Sequence, residues 1–186
     1  LAEIWLGVRT PGTDLPERAS VIRAAAEAAG ADIVPATAHG DEILSRVHDA
    51  PLLDHLRTIY AAWVEAGLPV EPGQDRVVPY VFPTAGLLAG HEARLPTAVW
   101  ARAGRYCYDT MTLVGPGTWE AARGAVDAAL TAVDLVRRGE ARVAYALCRP
   151  PGHHAGRDSF GGSCYLNNAA VAAEAQISTT GTEGIG

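Results

Sequence analysis

No run in this chain of 186 residues reaches the ~18 consecutive apolar residues that a membrane-spanning helix needs. No charged-then-apolar segment opens it either, so neither a bilayer span nor a secretory leader is expected. Positive charge is scarce. Fifteen basic residues stand against 21 acidic ones, a net charge of −6, and no basic stripe is present to hold nucleic acid. Cysteine is scarce too. Cys107, Cys148 and Cys164 are odd in number and lack knuckle spacing, which argues against a disulfide framework or a zinc knuckle and for reduced thiols in a cytoplasmic protein. Internal repeats are lacking, and alanine alone is over-used. The chain opens at Leu1 rather than Met, so its N-terminus is expected not to be the natural one. What is there is a globular composition, 48% hydrophobic, enough for one domain or a substantial piece of a larger one.

The hydrophobic pattern predicts a helix in "LPERASVIRAAAEAAG", with Pro16 and Glu17 in its first turn and Gly30 as its stop. "ADIV" is short and apolar, as a strand would be. "HDAPLLDHLRTIYAAWVEAG" reads as a second helix with Asp49 as cap, Pro51 in the first turn and Gly67 at the end. Leu52, Leu56, Ile59, Tyr60 and Trp63 give it one apolar face. Residues 68 to 98, rich in proline and glycine, form a long loop of the kind that is functional or disordered. A third helix follows in "GTWEAARGAVDAALTAVDLVRRG", capped by Thr118, with Trp119, Ala122, Val126, Leu130 and Val133 facing the core. "RVAYALC" reads as a buried strand, and a last short helix starts near Asn167. In alternating α/β chains, chemistry collects at the carboxyl ends of strands.

Just past that strand stands "CRPPGHHAGRDSFGGSCYLNN", residues 148 to 168, with His153 and His154 between a Pro-Pro-Gly turn and a Gly-Gly turn. Neighbouring histidines on a turning backbone point in different directions, so they cannot bind one metal side by side as a helical i, i+4 pair does. They can flank one small volume, one as neutral base and the other as charged stabiliser, because imidazole titrates near neutrality. Gly152, Gly156, Gly161 and Gly162 let a ligand approach bare backbone. A polar-loop role is the plain alternative. A nucleophilic Cys164 or Cys148 is another, with no third orienting group nearby in sequence. "FGGSCY" is no phosphate loop, because it lacks the spacing and the lysine. Trp100 and Tyr106, beside the long loop, are the aromatics that the core least requires.

This segment, together with "PERASVI", "VHDAPLLDHL" and "YCYDTMTLVGPGTWEAARGAVDAAL", resembles the histone deacetylase superfamily on its class II and acetylpolyamine amidohydrolase side. The resemblance runs from about residue 14 to about residue 176. It implies an α/β, three-layer arginase–deacetylase-type fold with a mainly parallel sheet, incomplete in this chain. Residues 1–186 would then be the N-terminal part of a single deacetylase catalytic domain. It implies a zinc-dependent amide hydrolase that removes acetyl or acyl groups from N-acetylated amines such as acetyl-lysine or acetylpolyamines. His154 would be the general acid/base, and His153 a charged or hydrogen-bonding partner of the metal-bound water. The Gly162 carbonyl would meet the substrate amide N–H, and Ser163 stands where relatives place an aromatic tunnel wall.

Zinc is the implied cofactor, but no residue here matches a ligand position. The ligands, an Asp-x-His strand and a later Asp, are expected downstream with the catalytic tyrosine, and the piece alone is expected to be inactive. The implied partner is a small-molecule or peptide N-acetyl amine, not nucleic acid or a membrane, with room for a homo-oligomer. The segment before "YCYDT" offers Trp100, Arg102 and Arg105, with Glu92 the nearest acid, which leaves the choice of amine open. The rival from another class is a non-catalytic relative that binds acetylated ligands or metabolites.

Overall fold

The computed structural model describes residues 2–12, 15–70 and 76–180. An antiparallel hairpin opens it, β1 (Ala2–Trp5) paired with β2 (Val8–Pro11) in the register Ala2↔Pro11 to Trp5↔Val8. Leu6 and Gly7, with φ of 51° and 78°, make the two-residue turn whose left-handed backbone matches the right-handed twist of the strands it joins. The hydrophobic pattern did not announce this element.

Helix α1 (Pro16–Ala28) begins at its proline as predicted and is followed by Gly30 at φ +83°, a left-handed close that glycine adopts freely. Its apolar residues Val21 and Ile22 are exposed, and none of its residues is buried. After α2 (Leu44–Val47), α3 (Ala50–Glu65) buries Leu52, Leu53, Leu56, Ile59 and Trp63, with Tyr60 half-buried. Asp49 has the extended backbone of a cap, but its carboxylate accepts from Arg157 Nη1 at 3.0 Å and makes no cap bond to the helix.

Two further helices were not read from the sequence. They are α4 (Ala85–Leu88), inside the long loop, and α5 (Val99–Tyr106), which packs on α3. The 20-residue α6 (Thr118–Arg137) starts from Gly117 at φ +75°. Thr118 is therefore not the cap. It lies inside the helix, and its hydroxyl accepts the Gly115 N–H at 2.9 Å, tightening the preceding turn. Ala122, Val126 and Leu130 are buried, with Trp119 and Val133 at the margin, as the period required. Arg123 on this helix donates to Asp41 Oδ1 (2.6 Å) and Asp127 Oδ1 (2.8 Å) and to the His39 carbonyl, strapping residues 37–41 along it. Finally α7 (Asn168–Thr180) packs against α6 and α2. Phe160, Leu166, Val171 and the α3 and α6 faces form one core.

The strands expected at "ADIV" and "RVAYALC" are a correction. Neither makes a ladder, and the hairpin is the one sheet among the described residues. A strand exists only through a neighbour that takes its N–H and C=O groups, and none lies beside these segments. Ile33, Val34, Val143 and Tyr145 stand exposed, Val143 at 86%. No described helix is long and apolar enough to cross a membrane.

Candidate active site

The two histidines sit on the irregular chain between α6 and α7. Both are exposed, and their rings face each other, centroids 4.2 Å apart and tilted by 52°. They do not diverge as the backbone reasoning predicts. Gly162 lies against His154: at φ +58°, a Cβ on it would fall 2.7 Å from His154 Cδ2. No side chain fits between that backbone and the imidazole. Next to it Ser163 is also left-handed, at φ +65°. His153 lies on the wall of a groove of about 760 Å³ with Cys148, Gly152 and Asn168. Ser163 lines a separate cavity of about 210 Å³ with Arg76, Met111, Leu113 and Tyr165. The structure thus joins His153, His154 and Gly162, and sets the Ser163 side chain at a different hollow.

The histidine loop is clamped from below by residues the sequence did not single out. His48 is fully buried. Its Nδ1–H donates to the Gly156 carbonyl (2.8 Å), and its Nε2 accepts the Asn167 N–H (3.0 Å). That pairing requires the neutral ring, and burial lowers the pKa of His48 accordingly. Asn167 donates its Nδ2 to the Ala155 carbonyl (2.8 Å) and caps α7 by accepting the Ala170 N–H (2.9 Å). The Asp49 N–H meets the Arg157 carbonyl (2.8 Å), and the Ala169 N–H meets Gly152 O (3.1 Å). A side chain at Gly152 would overlap Asn168, so glycine is required there. The signal for this clamp was "VHD" with the doubled asparagine, whose partners lie more than a hundred residues apart.

The glycine turn is held from the other side. Asp109 Oδ2 accepts the Gly162 N–H at 2.6 Å, and Thr112 Oγ1 accepts the Ser163 N–H at 2.8 Å. The Tyr108 ring lies where a Gly161 side chain would be, and its hydroxyl donates to the His154 carbonyl (3.2 Å).

The cysteines are not poised as nucleophiles. Burial pushes the Cys107 thiol up to about 12 and raises that of Cys148, whose Sγ donates to Ala125 O at 3.2 Å. Cys164 is fully buried and receives the His153 N–H at 3.5 Å. His55 is also structural. Burial, with a smaller push from Arg102, brings its pKa down to about 4, and its ring packs 4.7 Å from that of Tyr106. Tyr106 belongs to the core, whereas Trp100 is exposed, edge-on to Tyr80 at 5.6 Å. Arg102 spends its donors on the Pro96 and Thr97 carbonyls (each 2.9 Å), and Glu92 is exposed. Among the described residues no three His, Cys, Asp or Glu side chains are close enough to hold a metal ion.

The family profile of the histone deacetylase domain matches residues 14–185. The chain belongs to the histone deacetylase family. Among the deacetylase-family relatives it is 42% identical, over 92% of its length, to the acetylpolyamine amidohydrolase of Mycoplana ramosa. It is 38% identical, over 94%, to acetylpolyamine amidohydrolase 1 of Pseudomonas aeruginosa. It superposes with a TM-score of 0.82 on the crystal structure of acetylpolyamine aminohydrolase from Burkholderia pseudomallei, at 37% identity over 95% of the chain. That places its fold with the deacetylase-type domains. In each case it spans 48% of the other protein, so the chain covers about half the length of the relatives it matches.

Proposed function

We propose that the full-length protein is a zinc-dependent deacetylase acting on N-acetylated amines, and that these residues form part of its single catalytic domain. The observation that carries this is the exposed His153–His154 pair with the Gly162 backbone packed against the His154 ring. An amide hydrolase needs a base to take a proton from water and an acid to return one to the leaving amine. A ring nitrogen of His154 fills both roles in turn. His153, in ring contact with it, is the second hydrogen-bonding group to the same water. The Gly162 carbonyl receives the substrate amide N–H and orients the scissile bond.

Metal ligation is not met by the described residues. In this proposal the ligands come from polypeptide outside them, and so do the neighbours that would make residues 31–34 and 142–148 strands of a mainly parallel sheet. The names of the relatives put acetylpolyamines first among substrates, with a net charge of −6 suiting a cationic amine.

The test uses the full-length enzyme with acetylputrescine and an acetyl-lysine reporter. His154→Ala is expected to lower kcat by about 10²–10⁴ with zinc content unchanged. His153→Ala is expected to damage turnover with less dependence on leaving-group basicity. If both variants turn over like the unsubstituted enzyme, the two histidines do not run the chemistry and the proposal fails.

A further inference from the structure

Both oxygens of Asp109 are occupied. Oδ1 accepts the N–H groups of Met111 (2.8 Å) and Thr112 (2.7 Å), which is a local turn within its own loop. Oδ2 accepts the Thr112 hydroxyl (3.0 Å) and, 53 residues away, the Gly162 N–H (2.6 Å). The Thr112 hydroxyl, its proton given to Asp109, accepts in turn the Ser163 N–H at 2.8 Å. One carboxylate and one buried hydroxyl therefore grip two successive amides, at the two residues that adopt left-handed backbone.

Peptide planarity gives this grip a direction. The Ser163 N–H and the Gly162 C=O belong to the same trans peptide and point oppositely. Fixing the N–H on Thr112 aims the carbonyl away from Thr112, where it receives the Cys164 thiol at 3.5 Å and keeps a second lone pair for another donor. The Gly162 N–H, fixed on Asp109, sets the preceding peptide plane and leaves the turn little rotation. Charge-assisted bonds to a carboxylate hold such a geometry better than neutral ones.

We propose that Asp109, acting through Thr112, is a positioning residue that aims the Gly162 carbonyl at the substrate amide N–H beside His154. The proposal rests on the deacetylase reading above.

The test compares an acetamide with its matched acetate ester, which has no N–H to give, on the full-length enzyme. Thr112→Val is expected to lower kcat/KM for the amide by about tenfold, the worth of one oriented hydrogen bond, and to change the ester far less. Thr112→Ser, which keeps the hydroxyl, is expected to restore the amide-to-ester ratio. Asp109→Asn, with one acceptor oxygen in place of two, is expected to shift the ratio the same way as Thr112→Val. Amide and ester falling together would mean a merely structural role and would overturn the proposal. If a variant does not fold, hydrogen exchange in the unsubstituted enzyme decides: slow exchange at Gly162 and Ser163 upholds the grip, and fast exchange overturns it. An unsubstituted enzyme that hydrolyses neither compound sinks the deacetylase reading itself, and the role of Asp109 with it.

Discussion

At the scale of single residues, the histidines divide into candidates for chemistry and ties of the fold. His153 and His154 stood out as candidates because their signal is local, two imidazoles between rigid and flexible turns. His48 was not, because its partners Gly156 and Asn167 are 108 and 119 positions away, and no local pattern encodes a long-range contact. Asp109 was not singled out, for the same reason. Ser163 was legible as a departure from relatives but not as a left-handed residue. At φ +65° a non-glycine residue carries a backbone cost of about 1 kcal/mol or more. Ser163→Gly is therefore expected to stabilise the fold by about 1 kcal/mol, offset in part by unfolded-chain entropy. Chemical denaturation of both proteins measures it, and a loss of stability would mean that the serine side chain contributes more than its backbone costs.

Among the elements, the long helices were readable from period and punctuation, since α3 and α6 bury the faces their spacing required. The short ones were not: α4 lies in a stretch whose prolines and glycines signalled loop, and α5, just beyond that stretch, packs on α3. The expected strands failed for a different reason, because apolar runs prescribe burial but cannot supply a neighbour. Helix α3 and the turn before it also carry a pH dependence. Burial holds His48 and His55 below the ordinary histidine value of 6.5, His55 at about 4. The unfolded chain then binds more protons than the native one as pH drops below 6.5. Their contribution is complete above that pH and is lost as pH falls toward 4, by roughly 3 kcal/mol for His55 at most. Urea midpoints are expected to fall between pH 7 and pH 5, and less steeply in His55→Phe. A midpoint that is flat across that range would show that these rings are not held neutral.

For the whole molecule, the family was legible, whereas the sheet was not. The partly exposed Ile22, Val136 and Tyr145 line the groove that holds His153, and no three metal-binding side chains converge among the described residues. The 186-residue chain purified alone is accordingly expected to hold zinc far below one equivalent and to show no deacetylase turnover. Elemental analysis and the acetyl-lysine reporter check this, and stoichiometric zinc would overturn it. The His48 clamp has a consequence for how such a chain becomes native. Helices such as α3 and α6 draw on contacts a few residues apart, whereas the clamp must close loops of more than a hundred residues, an entropic cost met before any contact rewards it. In order of assembly, the helices are expected to come early and the histidine loop to be drawn into place last. On the way out of the native state that loop is expected to be the first part released, while most of the helix remains.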